Sequence, residues 1–426
     1  MTTEVDLQHR AGAKTPRPAR PWTVRPGLVV ALVTLAAAAV AAPWWLPLLL
    51  RPANLSMLWM LDLNVYRTAG RTLLDGRPLY EGGAQMGPFV MPFVYSPFGA
   101  LLAVPLGALG AGPVTVLWTV TNVAGIGYAA WWALGATGLR APRPRLALAA
   151  AVTVFAHLLD PVLINFLCGQ VNTFIMVLVL LAFPIDGPRR FRGVALGIAA
   201  GIKLTPLLFI PYLWITGRRR TAVEAAAGSA GTIAVGFLAL PADSRDFWFT
   251  GIFHDAARIM ISPLALNASL PGFFGRLTGE LGVPAWSLPV SAVLGVLGLL
   301  AARWVTLRRG DPVAGMLVVA ATAFVISPVS WPAHGVWIVP ALVWLLRSRW
   351  RSATWLPYVL AALLAAWFAT PVHSLAERFV DGVPYLFTPE GNLLGTLGST
   401  LPVVLVVLVL LPVWAPRLRP RVSREE

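Results

Sequence analysis

The sequence predicts an all-α polytopic membrane protein, and three observations carry that expectation. Hydrophobic residues fill 57% of the 426 positions while charged residues fill 12%, and the mean hydropathy of +0.73 lies far above that of a soluble chain. The apolar residues come in long continuous runs with no strand-like alternation, and a bilayer accepts only helices or closed barrels because every backbone group must be bonded internally. The arginines fall in short clusters between those runs, such as Arg218-Arg219-Arg220 and Arg303, Arg308, Arg309.

In chain order, residues 1–26 form a basic tail with Arg10, Lys14, Arg17, Arg20 and Arg25 and no apolar stretch. The run at 27–50 is longer than the core of a cleavable signal, so it reads as a retained anchor that starts in the cytoplasm. Further spans are expected near 88–110, 112–136, 146–164, 170–186, 193–216, 221–241, 283–302, 312–326, 333–347, 353–370 and 393–414. Together they make about twelve crossings in one transmembrane unit over 27–416, with the tail 417–426 back in the cytoplasm.

Counted back from the C-terminus, the basic loops at 303–309, 347–351 and 217–220 fall inside, and the segments 51–87, 242–282 and 371–392 fall outside. The same parity places Arg140, Arg143, Arg145 and Arg189, Arg190, Arg192 outside, against the positive-inside bias. Half-crossing helices around 95–109 or 193–216 would repair this, and those are the runs that Pro92, Pro97 and Pro105, or Lys203 and Pro206, interrupt. No internal repeat and no separable soluble domain is visible.

The formal charge of +15 follows the positive-inside pattern and is no nucleic-acid footprint. Cys168 is the only cysteine, so neither an intramolecular disulfide nor a cysteine metal cluster is available. The sequence has no Gly-x-x-x-x-Gly-Lys-Ser/Thr loop, no His-Glu-x-x-His and no Asp-x-Asp beside Asp62, so neither a metal nor a cofactor is expected. Richness in Ala, Arg, Gly and Pro suits a GC-rich bacterial genome, hence a bacterial plasma membrane.

Five groups of residues are candidates for chemistry. Asp62 lies a dozen positions beyond the first span, where a carboxylate either takes a proton from an attacking hydroxyl or simply solvates a surface helix. Lys203 sits inside an apolar run, where a charge meets an anion or a watery cavity or else snorkels to an interface. His334 stands in the polar, aromatic break Ser327-Pro328-Val329-Ser330-Trp331-Pro332-Ala333-His334, as a reacting group or as a hydrogen-bonded anchor. Asn165, Gln170 and Asn172 mark a junction of two spans, where amides bind sugar hydroxyls or satisfy helix ends. Asp255, Arg258, Asn267, Ser269 and Arg276 crowd the outer segment 242–282, as a lid or as a structural loop.

Order and spacing of several motifs add a resemblance. Asp62-Leu63-Asn64-Val65-Tyr66-Arg67-Thr68-Ala69-Gly70, Gly76-Arg77-Pro78-Leu79-Tyr80, Phe93-Val94-Tyr95-Ser96-Pro97, Gly169-Gln170-Val171-Asn172, Ala200-Gly201-Ile202-Lys203-Leu204-Thr205-Pro206, Asp255-Ala256-Ala257-Arg258 and Ser327-Pro328-Val329-Ser330-Trp331 with His334 and Trp337 together resemble glycosyltransferase family 87. The resemblance covers residues 27–350 and is similar in kind to the actinobacterial phosphatidylinositol-mannoside mannosyltransferases.

The resemblance implies the multi-span GT-C architecture with a catalytic cavity on the outer face. It also implies inverting transfer of a sugar, mannose above others, from a polyprenyl-phosphate donor to a hydroxyl of a lipid-linked glycan. Asp62 matches the base of the first outer loop, and His334 joins it as a catalytic candidate. Lys203, Tyr66, Tyr95, Gln170, Asn172, Arg258 and Asn267 become candidates for donor phosphate and substrate contacts. Three positions depart from the family pattern: Tyr95-Ser96-Pro97 stands for Tyr-Pro-Pro, Asn267-Ala268-Ser269 for Asn-Gln-Ser, and Ala333-His334 for paired histidines. A transporter or flippase of lipid-linked glycans is the rival reading, since many crossings with cavity-lining prolines also suit alternating access; missing repeats and large asymmetric outer loops point away from it.

Overall fold

The computed structural model describes residues 59–86, 89–183, 185, 191–252, 267–280, 282–347 and 356–370. The expected spans at 27–50 and 393–414, both terminal tails, the segment 371–392, and Arg189, Arg190, Asp255 and Arg258 lie outside the described residues.

The described chain is helical apart from one short hairpin. It runs α1 (Leu61–Leu74), β1 (Ala84–Met86), β2 (Phe89–Met91), α2 (Pro97–Ala108), α3 (Ala111–Ala136), α4 (Pro142–Ala156), α5 (Asp160–Cys168) and α6 (Asn172–Leu181). There follow α7 (Arg192–Ile202), a 3-10 turn (Thr205–Leu208), α8 (Phe209–Ile215), α9 (Arg219–Ala239), α10 (Pro241–Phe249), α11 (Leu270–Thr278), α12 (Ser287–Arg308), α13 (Pro312–Ile326), a second 3-10 turn (Pro332–Trp337), α14 (Ile338–Arg347) and α15 (Leu356–Ala369). Strands β1 and β2 pair antiparallel, with Gln85 opposite Val90.

Two described helices, α9 and α12, are each long and apolar enough to cross a membrane, and α4 with α5 would make a third were their 79° bend one broken span. Helices α3, α13, α14 and α15 coincide with expected runs, whereas the expected 146–164 span breaks after Ala156 and turns into α5. Pro161 at the start of α5 fits that break, because a proline begins a helix far better than it continues one.

Two expected spans are not single helices. The 88–110 run opens as strand β2, and its helix begins only at Pro97, where the Ser96 side chain accepts from Gly99 N at 3.1 Å. That serine N-cap with proline in the first turn fixes the start of α2 and leaves it 12 residues long.

The 193–216 run folds back on itself. Lys203 is extended (φ −142°, ψ 133°) and ends α7, after which the 3-10 turn and α8 return the chain. Both ends of the fold-back lie beside the first turn of α9: Gly193 N donates to Glu224 Oε2 at 3.1 Å, and Thr216 to Arg218 lead straight into that helix. Small residues allow this. A Cβ on Gly197 would stand 2.7 Å from Ala225 O and from Gly228, and one on Gly201 would stand 2.3 Å from Thr232.

The fold-back also bears on where the arginine clusters lie. The Arg145 guanidinium lies 3.4 Å from the Trp131 ring centroid, and Trp132 Nε1 donates to Phe183 O at 2.8 Å. Arg218 sits over that same Phe183, and Arg303 Nε donates to Ile215 O at 3.2 Å. The clusters around Arg145, Arg192, Arg218 and Arg303 therefore gather at one end of the helix assembly, while the apex of the fold-back carries Lys203 away from it.

Candidate active site

Asp62 and Tyr66 stand four residues apart on α1 and so share one helix face. That helix is clamped on α2: a Cβ on Gly70 would fall 2.2 Å from Ala103 O. Arg67 Nε and NH2 donate to Leu106 O at 3.3 Å and Leu109 O at 3.2 Å, and Arg71 Nε donates to Gly107 O at 3.3 Å. These bonds satisfy carbonyls that the end of α2 leaves open. At the other end of α1, Met60 N donates to Leu167 O at 2.7 Å. Gly169, with φ +66°, passes so near Leu63 that a Cβ there would be 2.8 Å from the leucine Cβ. The left-handed turn at Gly169 is thus what delivers Gln170 to Asp62.

The polar side chains form one network across five parts of the sequence. Lys203 Nζ lies 2.9 Å from Asn172 Oδ1 and 2.8 Å from His334 Nε2. Asn172 Nδ2 donates to Gln170 Oε1 and to Ala333 O, both at 3.2 Å. Tyr66 donates from its hydroxyl to Gln170 Oε1 at 3.3 Å and lies 3.2 Å from the Tyr95 hydroxyl. The side chain of Gln170 lies beside the Asp62 carboxylate, and Lys203 Nζ also stands 5.8 Å from the Tyr95 ring centroid.

Asp62 is half-buried, its carboxylate facing this chamber within a wall of protein. Burial pushes its pKa up to about 7, against the lowering pull of the Gln170 hydrogen bond and of the Lys203 charge. Burial, with Tyr95 and Asp62 nearby, holds the Tyr66 phenol well above its ordinary value, so Tyr66 stays a hydroxyl donor.

His334 and Trp337 line two cavities. One, of about 40 Å³, is bounded also by Asn172, Lys203, Pro206 and Phe209; the other, of about 60 Å³, by Asp160, Phe324, Trp367 and Phe368. Polar lining on one side and aromatic lining on the other suits a ligand with a charged head and an apolar body.

Of the residues singled out in the sequence, Asp62, Tyr66, Tyr95, Gln170, Asn172, Lys203 and His334 are thus brought together. Asn267 stands apart, because its Oδ1 accepts from Ser330 N at 3.0 Å and from Ser269 N at 3.2 Å while its Nδ2 donates to Pro328 O at 3.3 Å. It ties the segment before α11 to the one after α13, and Arg276 donates to its carbonyl at 2.9 Å.

Each departure from the family pattern has a local role here. Ser96 caps α2 and donates to Gly201 O at the end of α7. Ala268 is fully buried and bonds Ser330 O through its N–H at 2.7 Å, and Ala333 supplies the carbonyl that orients Asn172. Sequence reasoning passed over Ser96 as a capping residue, although Ser-Pro before an apolar run is such a signal. It also missed Asn122, whose Oδ1 accepts from Asn165 Nδ2 at 3.0 Å, joining α3 to α5; one asparagine in an apolar helix carries no signal for that.

Fold and site define a helical membrane enzyme whose polar groups converge in an internal chamber. The chain belongs to glycosyltransferase family 87, whose profile matches residues 93–328, a segment that holds Tyr95, Gln170, Asn172 and Lys203. The chain is 34% identical over 349 residues to a polyprenol-phosphate-mannose-dependent alpha-(1-2)-phosphatidylinositol mannoside mannosyltransferase of Mycolicibacterium smegmatis, covering 75% of this chain and 77% of that one. It is 33% identical over 315 residues to the protein of the same description from Mycobacterium tuberculosis, covering 69% and 71%. A polyprenol-phosphate-mannose-dependent alpha-(1-2)-phosphatidylinositol pentamannoside mannosyltransferase of Mycobacterium tuberculosis is 31% identical over 295 residues, covering 68% and 67%.

Proposed function

We propose that this glycosyltransferase moves a mannosyl group from a polyprenyl-phosphate donor to a hydroxyl of a glycolipid acceptor, on the outer face of the bacterial plasma membrane. The observation that carries the reading is one bonded chamber with a carboxylate, Asp62, at one end and an ammonium and imidazole, Lys203 and His334, at the other. The donor and acceptor classes are those in the relatives' descriptions. The basic clusters gathered at one end support placing that end in the cytoplasm and the chamber outside. In the same reading one transmembrane domain spans 27–416, both terminal tails are cytoplasmic, and the runs 88–110 and 193–216 are not counted as full crossings.

In this mechanism Asp62 takes the proton as the acceptor oxygen attacks the anomeric carbon. The bond from that carbon to the phosphate oxygen breaks on the opposite face, so the configuration inverts. Polyprenyl phosphate leaves with one more negative charge than the donor carried, and Lys203 and His334 meet that charge where it develops. In this reading the sugar sits between Asp62 and the phosphate met by Lys203 and His334. A pair poised on opposite sides of the ring is what in-line displacement requires. No metal or cofactor enters the scheme.

The test is to incubate membranes holding the native chain or Asp62→Asn with radiolabelled polyprenyl-phosphate mannose and phosphatidylinositol mannosides. Labelled glycolipid from the native chain alone supports the reading. Full transfer by Asp62→Asn at normal expression would refute the base assignment.

A further inference from the structure

The sequence offers Gln170 and Asn172 as candidates for sugar contacts or for satisfying helix ends, and their hydrogen bonds bear on a different task. A lysine ammonium can only donate, so the Asn172 atom 2.9 Å from Lys203 Nζ is an acceptor oxygen. The Ala333 carbonyl can only accept, so the Asn172 atom beside it is the NH2 group. Both constraints agree, and together they fix the orientation of the asparagine amide.

Its second N–H then reaches Gln170, where only an oxygen can receive it. The Tyr66 hydroxyl donates to that same Oε1, so two donors lock the glutamine amide. With Oε1 taken by these two donors, the Gln170 NH2 group is what remains to face Asp62 and Tyr95. Every donor along Lys203–Asn172–Gln170–Asp62 thus points the same way, from the cation towards the carboxylate. Gln170 is buried to 4% exposure and Asn172 to 7%, so reversing either amide would orphan donors and acceptors away from water.

We propose that Gln170 is a positioning residue for the base, held by Asn172 and Tyr66 so that its NH2 group keeps the Asp62 carboxylate aimed and anionic, and that Asn172 couples this hold to the occupancy of Lys203. The proposal rests on Asp62 being the base. A donor phosphate that draws Lys203 off Asn172 weakens the hold at the moment the carboxylate must accept a proton. The titratable groups that face Asp62 are Tyr66 on its own helix, Tyr95 ahead of α2, Cys168 at the end of α5 and Lys203 at the end of α7, with His334 behind Lys203.

The experiment is the pH profile of mannosyl transfer in membranes by the native chain, Gln170→Glu, Gln170→Met and Asp62→Asn. Loss of the donated hydrogen bond disfavours the carboxylate. The acidic limb of kcat/KM in both Gln170 variants should therefore move up by about one pH unit, with about tenfold loss below the limb, recovery at alkaline pH, and acceptor KM unchanged. An equal loss at every pH, or a raised acceptor KM with the limb unmoved, overturns the proposal; the second result would restore a sugar-binding role. Should Gln170→Glu fail to accumulate, Asn172→Asp repeats the test one step along the chain. Its carboxylate cannot donate to Gln170 Oε1, so the glutamine is free to turn from Asp62 and the limb should again rise. Activity in Asp62→Asn would instead defeat the base assignment itself, whatever the Gln170 variants show.

Discussion

Lys203 and His334 are 131 positions apart in the sequence and meet at 2.8 Å, one at the end of α7 and the other in the 3-10 turn before α14. An ammonium at Lys203 donates to this nitrogen, so His334 Nε2 presents its lone pair and the ring proton sits on Nδ1. The lysine is held between this imidazole and Asn172, ready to exchange a neutral partner for an anionic one.

Replacing Lys203 by Met should therefore raise the donor KM and lower kcat/KM about tenfold to a hundredfold, in line with loss of a charge-assisted bond. Lys203→Arg should recover little, because a planar guanidinium cannot place one nitrogen between Asn172 Oδ1 and His334 Nε2. Initial rates against donor concentration decide the point; full activity in Lys203→Met would remove this lysine from the site.

Asp62 makes transfer pH-dependent with a definite sign. Its pKa stands at about 7, above the ordinary 3.8, and the base works deprotonated, so activity falls as pH drops through about 7. The stability effect has the opposite sense. The folded state binds this proton more tightly than the unfolded one, so the anionic Asp62 weakens the fold increasingly from about pH 4 to about pH 7 and by a constant amount above. At pH 8 Asp62→Asn should be inactive yet melt no lower than the native chain, which scanning fluorimetry in detergent can read.

The seam between α7 and α9 tolerates nothing larger than glycine at its centre. In Gly197→Val the added atoms meet backbone of Ala225 and Gly228 at 2.7 Å, and since backbone cannot step aside as a side chain can, yield and melting temperature should fall sharply. Gly231→Ala, with nothing within 4 Å of the added Cβ, should behave as the native chain. Equal thermal stability of the two variants would refute the packing account.

Asn267→Ala should act through stability. It leaves the N–H groups of Ser330 and Ser269 without their shared acceptor, at a cost of about 1–3 kcal/mol for buried donors. A lower melting temperature with unchanged KM for both substrates is the expected pair of results; a selective rise in donor KM would return Asn267 to the binding site.

The sequence made part of this legible. Asp62, Lys203 and His334 stood out because each is a polar or charged group where apolar surroundings make it expensive, and all three reach one chamber. The run 193–216 looked like a crossing because hydropathy records composition and is blind to direction. Only Lys203 and Pro206 hinted that it turns back. The roles of Gln170 and Asn172 were out of reach, since whether an amide meets substrate or a neighbouring side chain depends on partners like the Ala333 carbonyl, which has no signature in residue type. Asn267 was equally open in the sequence, where an asparagine that bonds backbone looks like one that bonds a sugar.

The fold-back of α7 and α8 bears on how the protein is made. Each limb has eleven residues, about 16 Å of rise for α7 and about 18 Å for the 3-10 turn with α8, little more than half of what a segment needs to enter a bilayer unaided. Neither limb therefore settles alone as it leaves the ribosome; it has to wait for α9, whose Ala225, Gly228 and Thr232 receive its glycines. Biogenesis accordingly has an order in which Lys203 reaches its depth only after downstream chain has been inserted, and a nascent chain cut before α9 would expose that lysine to lipid and to quality-control proteolysis.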